Sequence, residues 1–202
     1  MASFKNVVLG EMPDGDLGFD TQLIELSANS LEYKLVLKHL SSTMQSSISK
    51  IQKIHCPSLY GWYMIKKAEY ESRGYEDCEK TLVHVTGASN ISSILRSNLN
   101  WRRVSRHKFG KGISFADDAA YANQYAAMSI GLDRAIIIAD VLIGNCYLGN
   151  SWTDLPPDGY DTTTGNRHVF VKFYDDEFLP KYVVYYTSPP IVIRRRFNRF
   201  RF

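Results

Sequence analysis

The apolar residues of this chain change their rhythm near residue 81. Before that point they recur at helical spacing. Ser30 precedes Leu31, Leu35 and Leu40, with Tyr33 and Leu37 beside them, and the pattern predicts a helix capped by the Ser30 hydroxyl that stops among the serines of 41–47. A β-type segment follows over Ile48–His55. Pro57, at a first helical position where the missing N–H costs nothing, opens a second helix through Tyr60, Met64 and Lys67. Residues 1–28 are rich in Gly, Asp and small polar side chains, show no sustained period, and read as a lead-in segment.

From Thr81 onward short strands and helices alternate: strand Leu82–Thr86, helix Ser89–Ser97, helix Asp117–Met128. Ala135–Ile143 is a near-continuous apolar run, as expected for a strand buried on both faces. Val169–Tyr174 and Tyr182–Thr187 are rich in β-branched and aromatic residues, with the turn-like Asp175–Pro180 between them. Asn150–Arg167, holding Pro156, Pro157, Gly159 and Gly165, predicts a long irregular loop. The sum is an α+β domain over 29–188, helices weighted to the first half and strands to the second, followed by a tail over 189–202.

Composition narrows the classes without naming a function. A chain of 202 residues suits one domain, and 45% hydrophobic with 22% charged residues is ordinary globular usage. No apolar run approaches the roughly 20 residues that cross a bilayer, and the start lacks a basic stretch followed by an apolar one. No transmembrane segment is expected, and the location expected is intracellular, nuclear or cytoplasmic. Cys56, Cys78 and Cys146 are isolated and odd in number, which supports neither a disulfide framework nor a paired zinc site. His39, His55, His107 and His168 make no metal-like spacing with them, so no metal is expected. Five arginines, at 194, 195, 196, 199 and 201, fall in the last nine residues; taking five from the net +3 leaves −2 for the rest. The body is therefore mildly acidic and not a nucleic-acid-binding surface by charge.

Chemistry enters with three blocks of sequence. The first is Val83-His84-Val85-Thr86-Gly87. The second is Phe109-Gly110-Lys111-Gly112-Ile113-Ser114-Phe115-Ala116, followed by Asp118-Ala119-Ala120-Tyr121 and Tyr125. The third runs from Val169-Phe170-Val171 to Pro180-Lys181-Tyr182-Val183-Val184. Together with Asn100-Trp101-Arg102, Val141-Leu142-Ile143-Gly144 and Pro156-Pro157 before Tyr160-Asp161, they resemble, in order and approximate spacing, the catalytic domain of the poly(ADP-ribose) polymerase (PARP) family. The resemblance leans toward the mono-ADP-ribosylating members that carry CCCH zinc fingers or WWE domains elsewhere in their chains. It implies two packed, mostly antiparallel β-sheets flanked by short helices, with NAD+ as the substrate and an acceptor protein as the partner.

The resemblance also implies roles. His84 matches the histidine that hydrogen-bonds the adenosine ribose, and the backbone of Val85, beside Thr86, matches the grip on the nicotinamide amide. Tyr125, eleven residues after Ser114, matches the tyrosine that stacks on the nicotinamide ring, in a pocket shared by Gly112 and Phe115. Departures from the pattern sit beside these matches. Ser114 replaces the second, tyrosine member of the His-Tyr-Glu triad, and Val183 falls at its third position. Ala122 replaces a serine that donates to the nicotinamide carbonyl, and Val85 replaces a glycine, so that its branched Cβ crowds the approach. Trp101–Gly110, matching the loop over NAD+, is about two residues short and lacks its usual glycine.

Read without the family, His84 is a satisfied core histidine, Gly110–Gly112 a turn, and Tyr121 with Tyr125 packing on one helix face. Two functions follow from the resemblance. One is transfer of a single ADP-ribose from NAD+ to a protein side chain, the absent acid at 183 disfavouring polymers. The other is a catalytically silent module that uses the fold for binding. The tail Arg194–Phe202 alternates cations with aromatics, which suits contact with RNA or an anionic membrane surface; its plainer reading is a solubilising end.

Overall fold

In a computed structural model the chain is described over residues 3–104, 107–126, 131–166 and 168–187. The basic tail, and the end of the helix expected to reach Met128, lie outside these residues.

The strand expected at Ala135–Ile143 forms the centre of the sheet. It runs as β5 (Asp133–Leu142), with every residue after Asp133 buried. Its side chains alternate as a pleated strand must. Ala135, Ile137, Ala139 and Val141 face one apolar layer, and Ile136 and Ile138 the other. β9 (Phe178–Thr187) and β3 (Glu79–Gly87) flank it, both antiparallel. Outside β9 lie β2 (Ile48–His55) and the edge strand β1 (Gln22–Glu25). β4 (Ile113–Ala116), β8 (Val169–Lys172), β7 (Thr162–Asn166) and β6 (Cys146–Leu148) continue the order on the far side of β3. β3 and β4 meet through one paired position, Val83 with Ala116. Among the described residues the nine strands thus form two arms, hydrogen-bonded into one order at that junction. Ile113 and Phe115 of the smaller arm share an apolar layer with Ile137 and Val183 of the larger, so the arms are packed together as the α+β resemblance implied.

Six α-helices cover this framework among the described residues. α1 (Phe4–Glu11) packs against α4 (Pro57–Ser72), with Phe4 and Val8 closing on Gly61, where a Cβ would collide. The segment read as a lead-in therefore carries a helix and an edge strand. Their short length hid both from a periodicity argument. α2 (Leu31–Leu37) starts as expected, the Ser30 hydroxyl accepting from Tyr33 N at 3.1 Å. Its buried face differs from the expected one. Val36 is 2% exposed and Leu40 5%, whereas Leu31 is 73% and Leu35 46% exposed. Leu31 and Leu35 were misleading because Val36, with Leu37 beside it, is what packs into the apolar layer against the sheet. Likewise α4 buries Gly61, Tyr63 and Tyr70, leaving Met64 at the surface. The turn α3 (Ser42–Gln45) buries Met44; α5 (Ile91–Ser97) and α6 (Ala119–Tyr125) follow β3 and β4. The loop expected over 150–167 contains β7, whose Thr162 and Thr163 are buried despite their polarity. β9 tolerates Pro180 inside a strand because the register slips there: Ile138 pairs with Tyr182 and Ala139 with Pro180, skipping Lys181.

One buried charge cluster ties the smaller arm to α4 and to the start of β9. Lys172 on β8 has a side chain with no solvent exposure. Its Nζ donates to Asp161 Oδ1 (2.9 Å), Thr162 Oγ1 (2.9 Å), the Asp161 carbonyl (3.2 Å) and Tyr70 OH (3.2 Å), and lies 3.2 Å from Glu177 Oε2. Tyr70 OH donates in turn to Glu177 Oε1 at 2.7 Å. Burial would raise the Asp161 pKa, but Lys172 and the backbone N–H of Gly144 outweigh it and hold it below the usual carboxylate value. At Glu177 burial wins, and its pKa is raised. Lys172→Met leaves the carboxylates buried without their cation and is expected to cost about 3–5 kcal/mol of stability, read from the guanidinium unfolding midpoint. Adding Asp161→Asn and Glu177→Gln should recover part of the loss. An unmoved midpoint in the single variant would show that the cluster does not hold the arm.

Candidate active site

The junction between the two arms opens into a cleft of about 540 Å³. β3 contributes His84, Val85 and Thr86; β4 contributes Ser114 and Phe115, with Gly112 just before it; α6 contributes Tyr121, Ala122 and Tyr125. The 101–110 loop adds Arg103, Val104, Lys108 and Phe109. Eight positions singled out from the sequence, at 84, 85, 86, 112, 114, 115, 122 and 125, therefore surround one space. The ninth, Val183, does not line it. Val183 is 1% exposed in the layer shared by the two arms. By register it pairs with Ile137, which pairs with His84, so His84 and Val183 occupy one row with a strand between them.

The His84 ring is held by the strand beside it. Its Nδ1 lies 2.9 Å from the Ser114 carbonyl. A carbonyl can only accept, so Nδ1 carries the proton, and Nε2 of the neutral imidazole is an acceptor. Phe115 packs edge-on at 6.0 Å between centroids. Desolvation by these walls lowers the pKa below the ordinary imidazole value, and the bond to the Ser114 carbonyl opposes it more weakly. Thr86 is buried, and its Oγ1 accepts from Asn90 Nδ2 at 2.9 Å, which commits its hydroxyl to the start of α5. Val85 packs into the second apolar layer beside Tyr121 and Ala122. Val85 also lines the cleft.

Gly110 and Gly112 have a steric reason to be glycine. Gly110 has φ +141°, and a Cβ there would strike Thr163 and Phe173; one on Gly112 would strike the Lys172 carbonyl. Their lack of side chains lets the loop lie on β7 and β8, behind Phe109. α6 starts on Asp118, whose carboxylate accepts from Tyr121 N. Asp117, expected as the first residue of this helix, lies before its cap and 2.9 Å from His168 Nδ1. The far side of α6 is fixed by Arg134, which is 3% exposed. Its Nη1 donates to Asn123 Oδ1 (2.6 Å) and to the Asn123 carbonyl (3.1 Å), and Tyr186 OH donates to the same Oδ1. Sequence reasoning passed over this anchor. Its signal was an arginine entering an apolar strand, a charge that must find partners once buried.

Tyr125 is 58% exposed, with the Tyr121 ring tilted against it at 4.6 Å between centroids. Among the described residues the cleft is lined by two cations, Arg103 and Lys108, and by no carboxylate. It can receive an anionic ligand with a flat aromatic end; the residues present supply no acid for proton transfer.

The sequence model of the poly(ADP-ribose) polymerase catalytic domain matches residues 30–171, and the chain belongs to this family. It is similar to the human protein mono-ADP-ribosyltransferase PARP12, 29% identical over 188 positions that cover 86% of this chain and 26% of that protein. It is also similar to the mouse protein mono-ADP-ribosyltransferase PARP11, 30% identical over 197 positions covering 81% of this chain and 60% of that protein. The chain thus spans between about a quarter and three fifths of the length of these relatives. The family uses NAD+ as its substrate.

The lowered His84 pKa sets a pH dependence. The unfolded histidine takes up its proton near the ordinary imidazole value of 6.5, the folded one only at lower pH. Between the two values the unfolded chain binds the extra proton. The contribution of His84 to stability is therefore complete above pH 6.5 and falls as pH drops toward the folded pKa. NMR titration of the ring is expected to give a midpoint under 6.5, and His84→Gln should flatten this part of the pH–stability curve. A midpoint at or above 6.5 would contradict a desolvated ring.

Proposed function

We propose that this chain moves one ADP-ribose unit from NAD+ to a side chain of an acceptor protein, with attenuated turnover. The observation that carries the reading is the open cleft in which His84, its tautomer set by the Ser114 carbonyl, faces the same space as Tyr125. In this reading Nε2 of His84 accepts a hydrogen bond from a ribose hydroxyl. The Val85 backbone holds the nicotinamide amide, the Tyr125 ring supports the nicotinamide plane, and Arg103 and Lys108 favour the diphosphate. Gly112 and Phe115 shape the wall, and Thr86 stiffens it through Asn90.

Attenuation follows from what the cleft lacks. Ser114 leaves one side of the ring without an aromatic partner. Ala122 cannot donate a hydrogen bond, a loss of about 0.5–1.5 kcal/mol where such a bond would tighten in the transition state. Val183, apolar and buried, gives no acid to activate a second ribose, which supports single units over chains. These same features favour a second reading, a silent module that keeps the fold for binding.

Incubation with labelled NAD+ separates the two. The transferase reading expects label on the chain or on added protein, reduced at least tenfold in His84→Ala, and nicotinamide released in step. Absence of label with wild type and variant alike, together with no heat of NAD+ binding, would leave the binding-module reading standing.

The proposal sets the protein inside the cell, in nucleus or cytoplasm. No helix among the described residues is long and apolar enough to cross a membrane. Contact of the Arg194–Phe202 tail with RNA or an anionic surface is supported by its alternation of cations and aromatics alone.

A further inference from the structure

The Lys108 ammonium lies over the Tyr125 ring, 5.4 Å from its centroid, and over the Phe109 ring at 5.1 Å. All three side chains line the cleft. With no carboxylate in that lining, the aromatic faces are what attract the cation there. The pyridinium ring of NAD+ is itself a planar cation with the same affinity for an aromatic face. Two like charges cannot share that face without repulsion. Lys108 also lines the cleft together with Arg103, so its flexible four-carbon stem gives the ammonium a second destination near any anion that enters.

We propose that Lys108 is a displaceable occupant of the Tyr125 ring, which covers the pyridine end of the cleft and turns to the diphosphate when a dinucleotide enters. The proposal rests on the reading of this cleft as an NAD+ site. It makes Lys108 a specificity residue. A ligand offering only the pyridinium ring must evict the ammonium and gives it no new partner. A ligand offering ring and diphosphate together replaces the contact it removes. The cleft therefore discriminates against fragments of its substrate, including the nicotinamide released on cleavage.

The test is calorimetry on the whole chain with three probes: 1-methylnicotinamide, which carries the charged ring alone, nicotinamide, and ADP-ribose. Lys108→Met is expected to raise the affinity for 1-methylnicotinamide by about two- to fivefold, the worth of an exposed cation–π contact. It should raise that for uncharged nicotinamide less, and lower that for ADP-ribose. Lys108→Arg should keep the ADP-ribose affinity. Lys111→Met, an equal charge change outside the lining of the cleft, should move none of them. ADP-ribose bound by the wild type, with 1-methylnicotinamide affinity unchanged or weakened in Lys108→Met, would overturn the role of Lys108 alone. Failure of every probe to bind wild type or variants would overturn it and the NAD+ reading together.

Discussion

The smaller arm of this fold depends on a lysine that never meets water. Lys172 sits at the end of a four-residue strand, too short to hold β7, β8 and the glycine-rich loop by apolar burial alone. Its ammonium gathers oxygens from three parts of the chain, those of Asp161 and Thr162 before and in β7, Tyr70 on α4, and Glu177 ahead of β9. A desolvated charge tolerates few geometries, so the cluster fixes the arm's position as well as its presence. The Lys172 carbonyl, on the same residue, is what Gly112 must approach, and the loop so placed carries Phe109 to the wall of the cleft. The shape of the candidate site is thus inherited from a charge cluster outside its lining.

On the other side of the cleft the same logic recurs at smaller scale. Arg134 enters a strand that is otherwise apolar and buries its guanidinium against the carbonyl and side chain of Asn123. That fixes α6, and with it the angle at which Tyr121 and Tyr125 face β3. Two buried cations, one per arm, set the opposing walls. The strand between them supplies His84.

Much of this was legible from residues and some was not. The both-faces burial of β5 follows from a near-continuous apolar run, and β2 and the Ser30 cap from local signals that need no tertiary context. The convergence of 84, 114 and 125 on one cleft was legible only through the resemblance to the family's catalytic domain, whose motif order they follow. What could not be read was long-range: which face of α2 meets the sheet, that threonines 162 and 163 would be interior, and that Lys172 would find its acids from 11 residues before and five after. Polar residues carry no periodicity that announces burial. Val183 shares a row with His84, with Ile137 between them; a motif position fixes a row in the sheet but not what fills the space in front of it.

That row also limits what can stand at position 183. Val183 pairs with Ile137 in a layer with Phe115 and Phe178. A glutamate placed there by one mutation would enter hydrocarbon, hold its proton, and destabilise the seam where the two arms meet. An acid at this position would be tolerated only if several neighbours shrank or turned polar with it, so the packing of the seam by itself keeps the position apolar.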